Sequence, residues 1–308
     1  MIRRLLAASA VATLIACQSE PPGRGNPPPE AAEQDAAPLL DPEIVEARED
    51  SVSSADGVVI RFKDHGAGEP AVVFVHGWAC DQSYWKWQVP HFAAARRVIT
   101  LDLAGHGASG SNRGEWTVER FAQDVAAVVA ALGLERTVLI GHSMGGSVVL
   151  EAAPRLEGKV AAIIGVDTFQ SVEGRLDEAT IETFVGPMRR DFQGAVTAFV
   201  KSLFADGAAP ELVASVAADM SSAPPGPAVE ALVHLFRHDA GAAFERAGVP
   251  IRVLASEKFP IDVEAARRHT ADFDIRVVKG AGHFLMLENP SECNRLLDEL
   301  LAQIAAGS

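Results

Sequence analysis

The sequence is poor in basic residues, and this limits the partners that it can bind. Its 27 lysines and arginines are outnumbered by 41 aspartates and glutamates, which gives the 308 residues a formal net charge of −14. Proteins that bind nucleic acid neutralise its phosphates with a positively charged patch or stripe. We therefore expect an acidic surface and no nucleic-acid partner.

Cysteine and histidine are scarce as well. The chain has three cysteines and nine histidines, scattered without the spacing of metal ligands. A glycine-rich phosphate-binding loop is also missing. The sequence thus predicts no metal and no cofactor. Cys80 and Cys293 could pair in an exported chain, but two cysteines alone fix no distance between them, and a buried free thiol is an equally good interpretation of each.

The first seventeen residues differ from the rest of the chain. The positively charged start, Met1-Ile2-Arg3-Arg4, precedes an apolar stretch from Leu5 to Ala16 that is too short to span a bilayer as a helix. This pattern indicates an export signal in residues 1–16. The small residues before Cys17 resemble the bacterial lipoprotein signal. The resemblance implies that Cys17 is lipidated and anchors the protein to a membrane, on the periplasmic side or at the outer membrane. A plain cleaved secretion signal is the alternative.

Residues 17–50 lack apolar periodicity and are rich in proline, with glycine, glutamine, alanine and acidic residues between. Such a composition cannot bury enough apolar surface to fold. We predict that this segment is a disordered tether, and that the folded protein begins at residue 51.

From residue 51 onward, strand and helix patterns alternate. Continuous apolar runs such as Ala71–Val75 are typical of strands that are buried on both faces of a parallel sheet. Further strands are predicted at 57–62, 98–101, 137–140, 160–166, 251–255 and 275–278, and helices at 117–132 and 290–304. This alternation predicts an α/β fold in which a mostly parallel sheet carries helices on both faces.

The alternation is interrupted at residues 168–248. This segment has helical apolar periodicity, which includes Phe184, Phe192, Phe199 and Phe204, but it has no strand pattern, and it contains helix breakers at 223–227. It is predicted to form a helical cap over one edge of the sheet, with most of its phenylalanines in the interior of the cap. Residues 51–167 and 249–308 then form the α/β core.

Residues 139–147 read Leu-Ile-Gly-His-Ser-Met-Gly-Gly-Ser, a short apolar strand that runs into Gly-x-Ser-x-Gly and then into an apolar helical pattern. In this context the serine sits at the tip of a tight strand-to-helix turn with its oxygen exposed. Gly141 and Gly145 let the strand and the helix approach closely. The N–H of Met144 lies at the helix N-terminus and points at a developing oxyanion. We predict that Ser143 is a nucleophile.

A serine hydroxyl needs a base that takes its proton. Of the nine histidines, only His283 lies both near the C-terminus and just beyond a strand end, where it follows the glycine-rich turn at 280–282. We predict that this turn carries the imidazole over Ser143. His142, which flanks the serine, is interpreted as a packing residue.

Together with the His76-Gly77-Trp78 turn, these motifs make residues 52–305 resemble the α/β-hydrolase family of the cap-domain type, in which they occur in the same order. The resemblance implies an eight-stranded, mostly parallel sheet. It also implies that Ser143 and His283 belong to a catalytic triad, and that the N–H groups of Trp78 and Met144 form the oxyanion hole.

The acid of the triad is the point at which the sequence departs from the family pattern. Most members place it a few residues beyond the penultimate strand, where this chain has Lys258 or Phe259. Glu257 is displaced towards the strand, and Asp262 away from it. Other members place the acid after the strand that follows the nucleophile helix, which is Asp167 here. Asp167 fits without a shift, so the prediction ranks it above Glu257, with Asp262 third.

The serine at position 143 also limits the reactions that the resemblance allows. Dehalogenases and epoxide hydrolases of this fold need an aspartate there. The resemblance therefore implies a serine hydrolase that cleaves a small ester-type substrate through an acyl-enzyme, in the manner of a carboxylesterase. Cleavage of a lactone or of an activated carbon–carbon bond, or perhydrolysis, could use the same residues. A non-catalytic binding protein on a hydrolase fold is the alternative from another class.

Overall fold

The computed structural model describes residues 45–306. The predicted export signal in residues 1–16, the predicted lipidation site Cys17 and residues 18–44 of the predicted tether lie outside the described residues. Among the residues described, no helix is both long enough and apolar enough to cross a bilayer.

One sheet of eight strands runs through the described part of the chain. Its strands are β1 (Ala47–Ser53), β2 (Val59–His65), β3 (Ala71–Val75), β4 (Val98–Leu101), β5 (Thr137–His142), β6 (Val160–Val166), β7 (Ile251–Ser256) and β8 (Phe273–Val278). Their order across the sheet is β1-β2-β4-β3-β5-β6-β7-β8. In this order, the six strands from β4 to β8 run parallel to one another, whereas β2 is antiparallel to both β1 and β4. The predicted α/β fold with a mostly parallel eight-stranded sheet is confirmed.

The carboxyl ends of three central strands lie side by side. Val75 of β3 pairs with Gly141 of β5, and Gly141 pairs in turn with Gly165 of β6. Almost every residue of these strands is buried, because helices cover both faces of the sheet. The segments that follow β3, β5 and β6 therefore meet at one edge, which is the place where open α/β sheets bind their ligands.

Within residues 45–306, eleven α-helices accompany the sheet. They are α1 (Gln88–Ala93), α2 (Val118–Ala131), α3 (Met144–Ala152), α4 (Glu178–Arg190), α5 (Phe192–Leu203), α6 (Pro210–Met220), α7 (Pro225–Arg237), α8 (Ala240–Ala247), α9 (Val263–His269), α10 (Leu285–Glu288) and α11 (Pro290–Ala306).

The boundaries of α2 follow directly from its sequence. The side chain of Thr117 accepts a hydrogen bond from the Arg120 N–H and caps the start of the helix. Gly133, with a φ of +58°, follows its last turn. Apolar side chains such as Phe121 and Val125 are buried along one face, and the helix packs against α3. The structure thus contains the helix that the sequence predicts at 117–132.

Helices α4 to α8 fill the segment between β6 and β7, where the described chain has no strand. The side chains of Asp177, Asp191 and Asp239 cap the starts of α4, α5 and α8, and α6 and α7 begin with a proline in the first turn. Helix α4 packs against α5 and α7, α5 packs against α6, and α8 packs against α3 of the core.

The folded part begins earlier than the sequence indicates. The predicted tether ends at residue 50, but β1 begins at Ala47, which pairs with His65. Strand β1 lies at the edge of the sheet, and none of its side chains is fully buried. Its polar sequence therefore shows no apolar alternation that could reveal a strand.

The two cysteines of the described region do not form a disulfide. Cys80 and Cys293 are both buried free thiols. Burial raises the pKa of both thiols above the ordinary value. A thiol of this kind is a poor nucleophile.

Candidate active site

Ser143 stands between β5 and α3 in a backbone conformation that L-residues rarely adopt, with φ +53° and ψ −120°. Close packing of the strand and the helix holds this conformation. A Cβ on Gly141 would collide with the Gly145 carbonyl group, and a Cβ on Gly145 would lie 2.5 Å from the Val75 carbonyl oxygen. Only glycine fits at either position. The chain therefore forms the predicted turn, and Ser143 lies in the wall of a large cavity.

His283 reaches the same cavity from the C-terminal part of the chain. Its Nδ1 lies 2.6 Å from Oδ2 of Asp167, and Oδ1 of Asp167 accepts a hydrogen bond of 2.7 Å from the Ser256 N–H. Asp167 is fully buried, and the His283 side chain is only 14% exposed. A carboxylate held in this way keeps a proton on Nδ1 and leaves Nε2 free to accept another.

The position of Asp167 is set by β6. Asp167 is the first residue after that strand, and its N–H donates to the Leu254 carbonyl of β7 at 2.8 Å. Its φ of +42° departs from the strand conformation, so the chain leaves the sheet at this residue. The carboxylate thereby stays at the carboxyl edge of the sheet while the chain continues into the cap.

The other two candidate acids have other hydrogen-bond partners, although Asp262 also lines the cavity. Glu257 is exposed, and its carboxylate accepts a long hydrogen bond of 3.4 Å from the Gly280 N–H. The Asp262 side chain caps the start of α9 by accepting from the Ala265 N–H at 2.9 Å. Among the described residues, neither acid is hydrogen-bonded to His283. The structure thus brings Asp167 to the histidine, and not Glu257 or Asp262.

Ser143 and His283 line one cavity, but within residues 45–306 no hydrogen bond joins the serine hydroxyl to the imidazole. Catalytic hydrogen bonds are often long in free enzymes and shorten when substrate binds. A substrate in the cavity would lie beside both side chains.

Trp78 and Met144 supply two candidate oxyanion donors beside the serine. Both residues line the cavity, and in the described part of the chain their backbone N–H groups donate to no protein acceptor. Met144 is the first residue of α3, so its N–H belongs to the positive end of the helix dipole. The indole Nε1 of Trp78 donates to the Ala228 carbonyl of the cap at 2.7 Å and fixes the turn after β3.

His142 contacts the loop and the ring of His283. Its Nε2–H donates to the His283 carbonyl oxygen at 3.0 Å, and the centres of the two imidazole rings lie 4.7 Å apart. Burial holds the pKa of His142 well below its usual range, so its ring is neutral at physiological pH. A neutral ring adds no positive charge next to His283. This contact could not be predicted from the sequence, because it joins residues that lie far apart in the chain.

The cavity has a volume of about 550 Å³ and is mostly apolar. Its cap side is formed by aromatic and aliphatic side chains, namely Phe184, Phe199, Leu203, Met220, Leu232, Leu235 and Phe236. The ring of Phe184 meets those of Phe199 and Phe236 edge to face, at centroid distances of 5.2 and 5.1 Å. Phe184 and Phe199 face the cavity, whereas Phe192 and Phe204 are buried against Trp78 and Phe284 of the core.

One cluster in the described residues has the geometry of a metal site. Ligand atoms of Glu119, Glu151 and His238 lie within 4.8 Å of one another. However, Glu151 already accepts hydrogen bonds from His238 at 3.0 Å and from Arg246 at 2.5 Å. The arginine balances the charge of the carboxylate, so the cluster is better described as an ion-pair network between α3 and the cap.

Similarity to known proteins extends over most of the described fold. A model of the alpha/beta hydrolase family matches residues 72–296. A non-heme haloperoxidase from Rhodococcus erythropolis is 40% identical over 116 residues, which are 37% of this chain and 42% of that protein. A bifunctional esterase/perhydrolase from Acinetobacter calcoaceticus is 39% identical over 97 residues, or 31% of this chain and 35% of that protein. The chain thus spans less than half the length of these curated relatives.

Among solved structures, an esterase from Thermogutta terrifontis resembles the protein over most of its length. The TM-score is 0.73 at 26% sequence identity, and the match covers 84% of this chain and 99% of the esterase.

Proposed function

Because the chain belongs to the alpha/beta hydrolase family, we propose that it is a serine hydrolase that cleaves small carboxylic esters through an acyl-enzyme on Ser143. The observation that supports this most strongly is the hydrogen bond between Asp167 and His283, in the cavity that Ser143 lines. A buried carboxylate, a histidine and a serine on a strained turn are the groups that activation of a hydroxyl requires.

In the first half of the proposed reaction, Nε2 of His283 takes the proton from Ser143 while the serine oxygen attacks the ester carbonyl carbon. The N–H groups of Trp78 and Met144 stabilise the negative charge that develops on the carbonyl oxygen. His283 then gives the proton to the departing alcohol, and the acyl group remains on Ser143. Asp167 stabilises the imidazolium that exists between the two proton transfers.

In the second half, a water molecule replaces the alcohol. His283 takes a proton from the water as its oxygen attacks the acyl-enzyme, and then returns that proton to Ser143 as the carboxylic acid leaves. The neutral ring of His142 matters in both halves, because a second positive charge 4.7 Å from the imidazolium would oppose its formation.

The lining of the cavity favours esters that carry an apolar group. A volume of about 550 Å³ lies within the range of small-molecule sites, and most of the lining is apolar. The edge-to-face contacts of Phe184 with Phe199 and Phe236 make the cap side a stiff apolar wall. The resemblance to the Thermogutta esterase agrees with an ester substrate.

A second candidate reaction is perhydrolysis, in which hydrogen peroxide takes the place of water and the acyl group leaves as a peracid. The similarity to the bifunctional esterase/perhydrolase favours it. Measuring peracid after hydrogen peroxide is added to an ester assay distinguishes this reaction from plain hydrolysis.

A fluorophosphonate probe tests the proposed activity, because it reacts only with an activated serine. The protein should become labelled and should hydrolyse p-nitrophenyl acetate, whereas Ser143→Ala should do neither. Ser147→Ala is a matched control, because Ser147 also lines the cavity but lies beyond the turn. An unlabelled wild-type protein, or labelling that persists in Ser143→Ala, would contradict the proposal and support a binding protein on a hydrolase fold.

We also propose that the protein is an exported lipoprotein anchored through Cys17, as the pattern of residues 1–17 indicates. A protein that carries lipid chains should partition into the membrane fraction, and Cys17→Ser should release it. Cys17→Ser protein that stays in the membrane fraction would contradict lipid anchoring.

A further inference from the structure

The loop that carries His283 is hydrogen-bonded directly to the cap. The backbone N–H of His283 donates to the Leu203 carbonyl oxygen at 2.9 Å. Leu203 is the last residue of α5, the helix that also contributes Phe199 to the cavity wall. The catalytic base and the cap side of the cavity are therefore connected through one helix end.

Glu288 makes a second and stronger connection between the same two segments. Its carboxylate accepts hydrogen bonds from the N–H groups of Gly282 and Phe284, the two neighbours of His283, each at 3.1 Å. It also accepts from the N–H of Ala205 in the cap at 2.9 Å. Hydrogen bonds to a charged carboxylate are about twice as strong as those between neutral groups. Three backbone N–H groups from two distant segments thus converge on one side chain.

The two segments are in close contact at this point. A Cβ on Gly282 would lie 2.5 Å from the Ala205 nitrogen, so only glycine allows the loop that carries His283 to approach the cap this closely. Nearby, the Lys258 ammonium group donates to the Phe204 carbonyl oxygen at 2.5 Å. Phe204 caps the C-terminus of α5, where a positive charge also interacts favourably with the helix dipole.

From this geometry we propose that Glu288 is a positioning residue that fastens the His283 loop to the cap and so keeps the imidazole aligned with Asp167. The proposal rests on the proposed esterase function. Glu288 lines no part of the cavity and touches no reacting atom. It acts through its hydrogen bonds to the backbone on both sides of His283. A substrate group that displaces α5 would therefore move the base as well.

Glu288→Gln is the primary test. The amide keeps the shape of the side chain but replaces one acceptor oxygen with an NH₂ donor, which faces backbone N–H groups. The active sites of wild-type and variant protein are first counted with the fluorophosphonate probe, so that unfolded protein does not enter the rate. We expect kcat per active site for p-nitrophenyl acetate to fall by about 10²-fold, the loss that a displacement of about 1 Å can cause, with little change in KM.

The pH profile supplies a readout that a purely structural role would not move. In wild-type protein His283 is hydrogen-bonded to the Asp167 carboxylate. If the loop shifts and this hydrogen bond is lost, the pH dependence of kcat/KM should change. Gly282→Ala pushes the same loop away from Ala205 and should give the same changes. Glu299→Gln, the same substitution on an exposed face of α11, should leave kcat and the pH profile unchanged.

The outcomes separate this proposal from the proposed function. An active wild-type protein whose Glu288→Gln variant keeps its kcat per active site and its pH profile would overturn the positioning role alone. The same conclusion would follow if Glu288→Gln lowered only the number of active sites. A wild-type protein that neither binds the probe nor hydrolyses the ester would overturn the proposed function and this inference together.

Discussion

Asp167 and His283 are 116 positions apart in the sequence, yet their side chains share a hydrogen bond of 2.6 Å. Three features bring them together. Strand β6 ends at Val166, the loop that carries His283 follows β8, and β7 lies between β6 and β8 in the sheet. The entire cap is inserted immediately after Asp167. The acid and the base therefore depend on the order of the strands and not on their distance along the chain.

Asp167→Asn should lower kcat for p-nitrophenyl acetate by about 10⁴-fold, because an amide beside Nδ1 favours the wrong tautomer of the histidine. Glu257→Gln is the matched control, since Glu257 is exposed and is hydrogen-bonded to the Gly280 N–H rather than to His283. It should retain nearly full activity. Equal losses in the two variants would contradict the assignment of Asp167.

Phe236→Ala should change which esters the enzyme prefers. Its ring lines the cavity and supports Phe184, so its removal takes apolar contacts from a long acyl chain. We expect kcat/KM for p-nitrophenyl octanoate to fall about tenfold, which corresponds to about 1 to 2 kcal/mol of lost apolar contact. The acetate ester, which has the same nitrophenyl group but a much shorter acyl chain, serves as the internal control. A parallel fall for both esters would mean that the wall does not select the substrate.

Glu151→Ala should destabilise the fold more than an exposed ion pair can. Glu151 is buried on α3 and holds His238 and Arg246, and these contacts lower the pKa of its carboxyl group to about 2. The His238 side chain is only 4% exposed, and losing its partner should lower the free energy of unfolding by about 2 kcal/mol. Urea unfolding measures this loss.

The control for that substitution is Glu135→Ala. The Glu135 side chain is 72% exposed and pairs with Lys159 at the surface. Its removal should change the free energy of unfolding by less than about 1 kcal/mol. If the two variants were destabilised equally, the buried network between α3 and the cap would contribute no more to the free energy of unfolding than an exposed ion pair does.

The stability of the fold should decrease in mild acid. His76 and His106 are buried, and burial lowers their pKa to about 4 and about 3. In the unfolded chain a histidine titrates near pH 6.5, so from about pH 6.5 down to about pH 4 the unfolded chain binds more protons than the folded one. The free energy of unfolding should therefore fall with pH in that window, by up to about 1 kcal/mol per pH unit for each histidine.

His106→Asn provides the comparison for this pH dependence. Asparagine does not titrate, so the variant loses the contribution of His106 and its stability should vary less with pH. Urea midpoints at about pH 7 and about pH 5 suffice to compare the two slopes. Parallel curves for wild-type and variant protein would contradict the prediction.

The sequence was most informative where function depends on local backbone geometry. The turn around Ser143 needs glycines at fixed offsets, and a strand must precede it and a helix must follow. All of these features lie within about a dozen residues, so they can be read from the sequence. The strands of the core were equally visible, because burial on both faces makes them continuous apolar runs.

Contacts between distant segments were harder to predict. The choice between Asp167 and Glu257 depends on where strand ends meet in space, and the sequence could only rank them. The role of Glu288 was not visible at all, because one of its partners, Ala205, is 83 positions away and contributes only a backbone N–H. Similarly, helical periodicity does not reveal that Phe199 lines the cavity whereas Phe192, which packs against Trp78, does not.

Strand β1 fixes the edge of the sheet at which the described chain enters the fold. It is antiparallel to β2, which is antiparallel to β4, so Ala47 lies at the amino ends of the parallel strands. Ser143 lies at their carboxyl ends, at the opposite edge of the sheet. The described chain therefore enters the fold at the edge that faces away from the cavity, and β1 contributes no residue to the cavity lining.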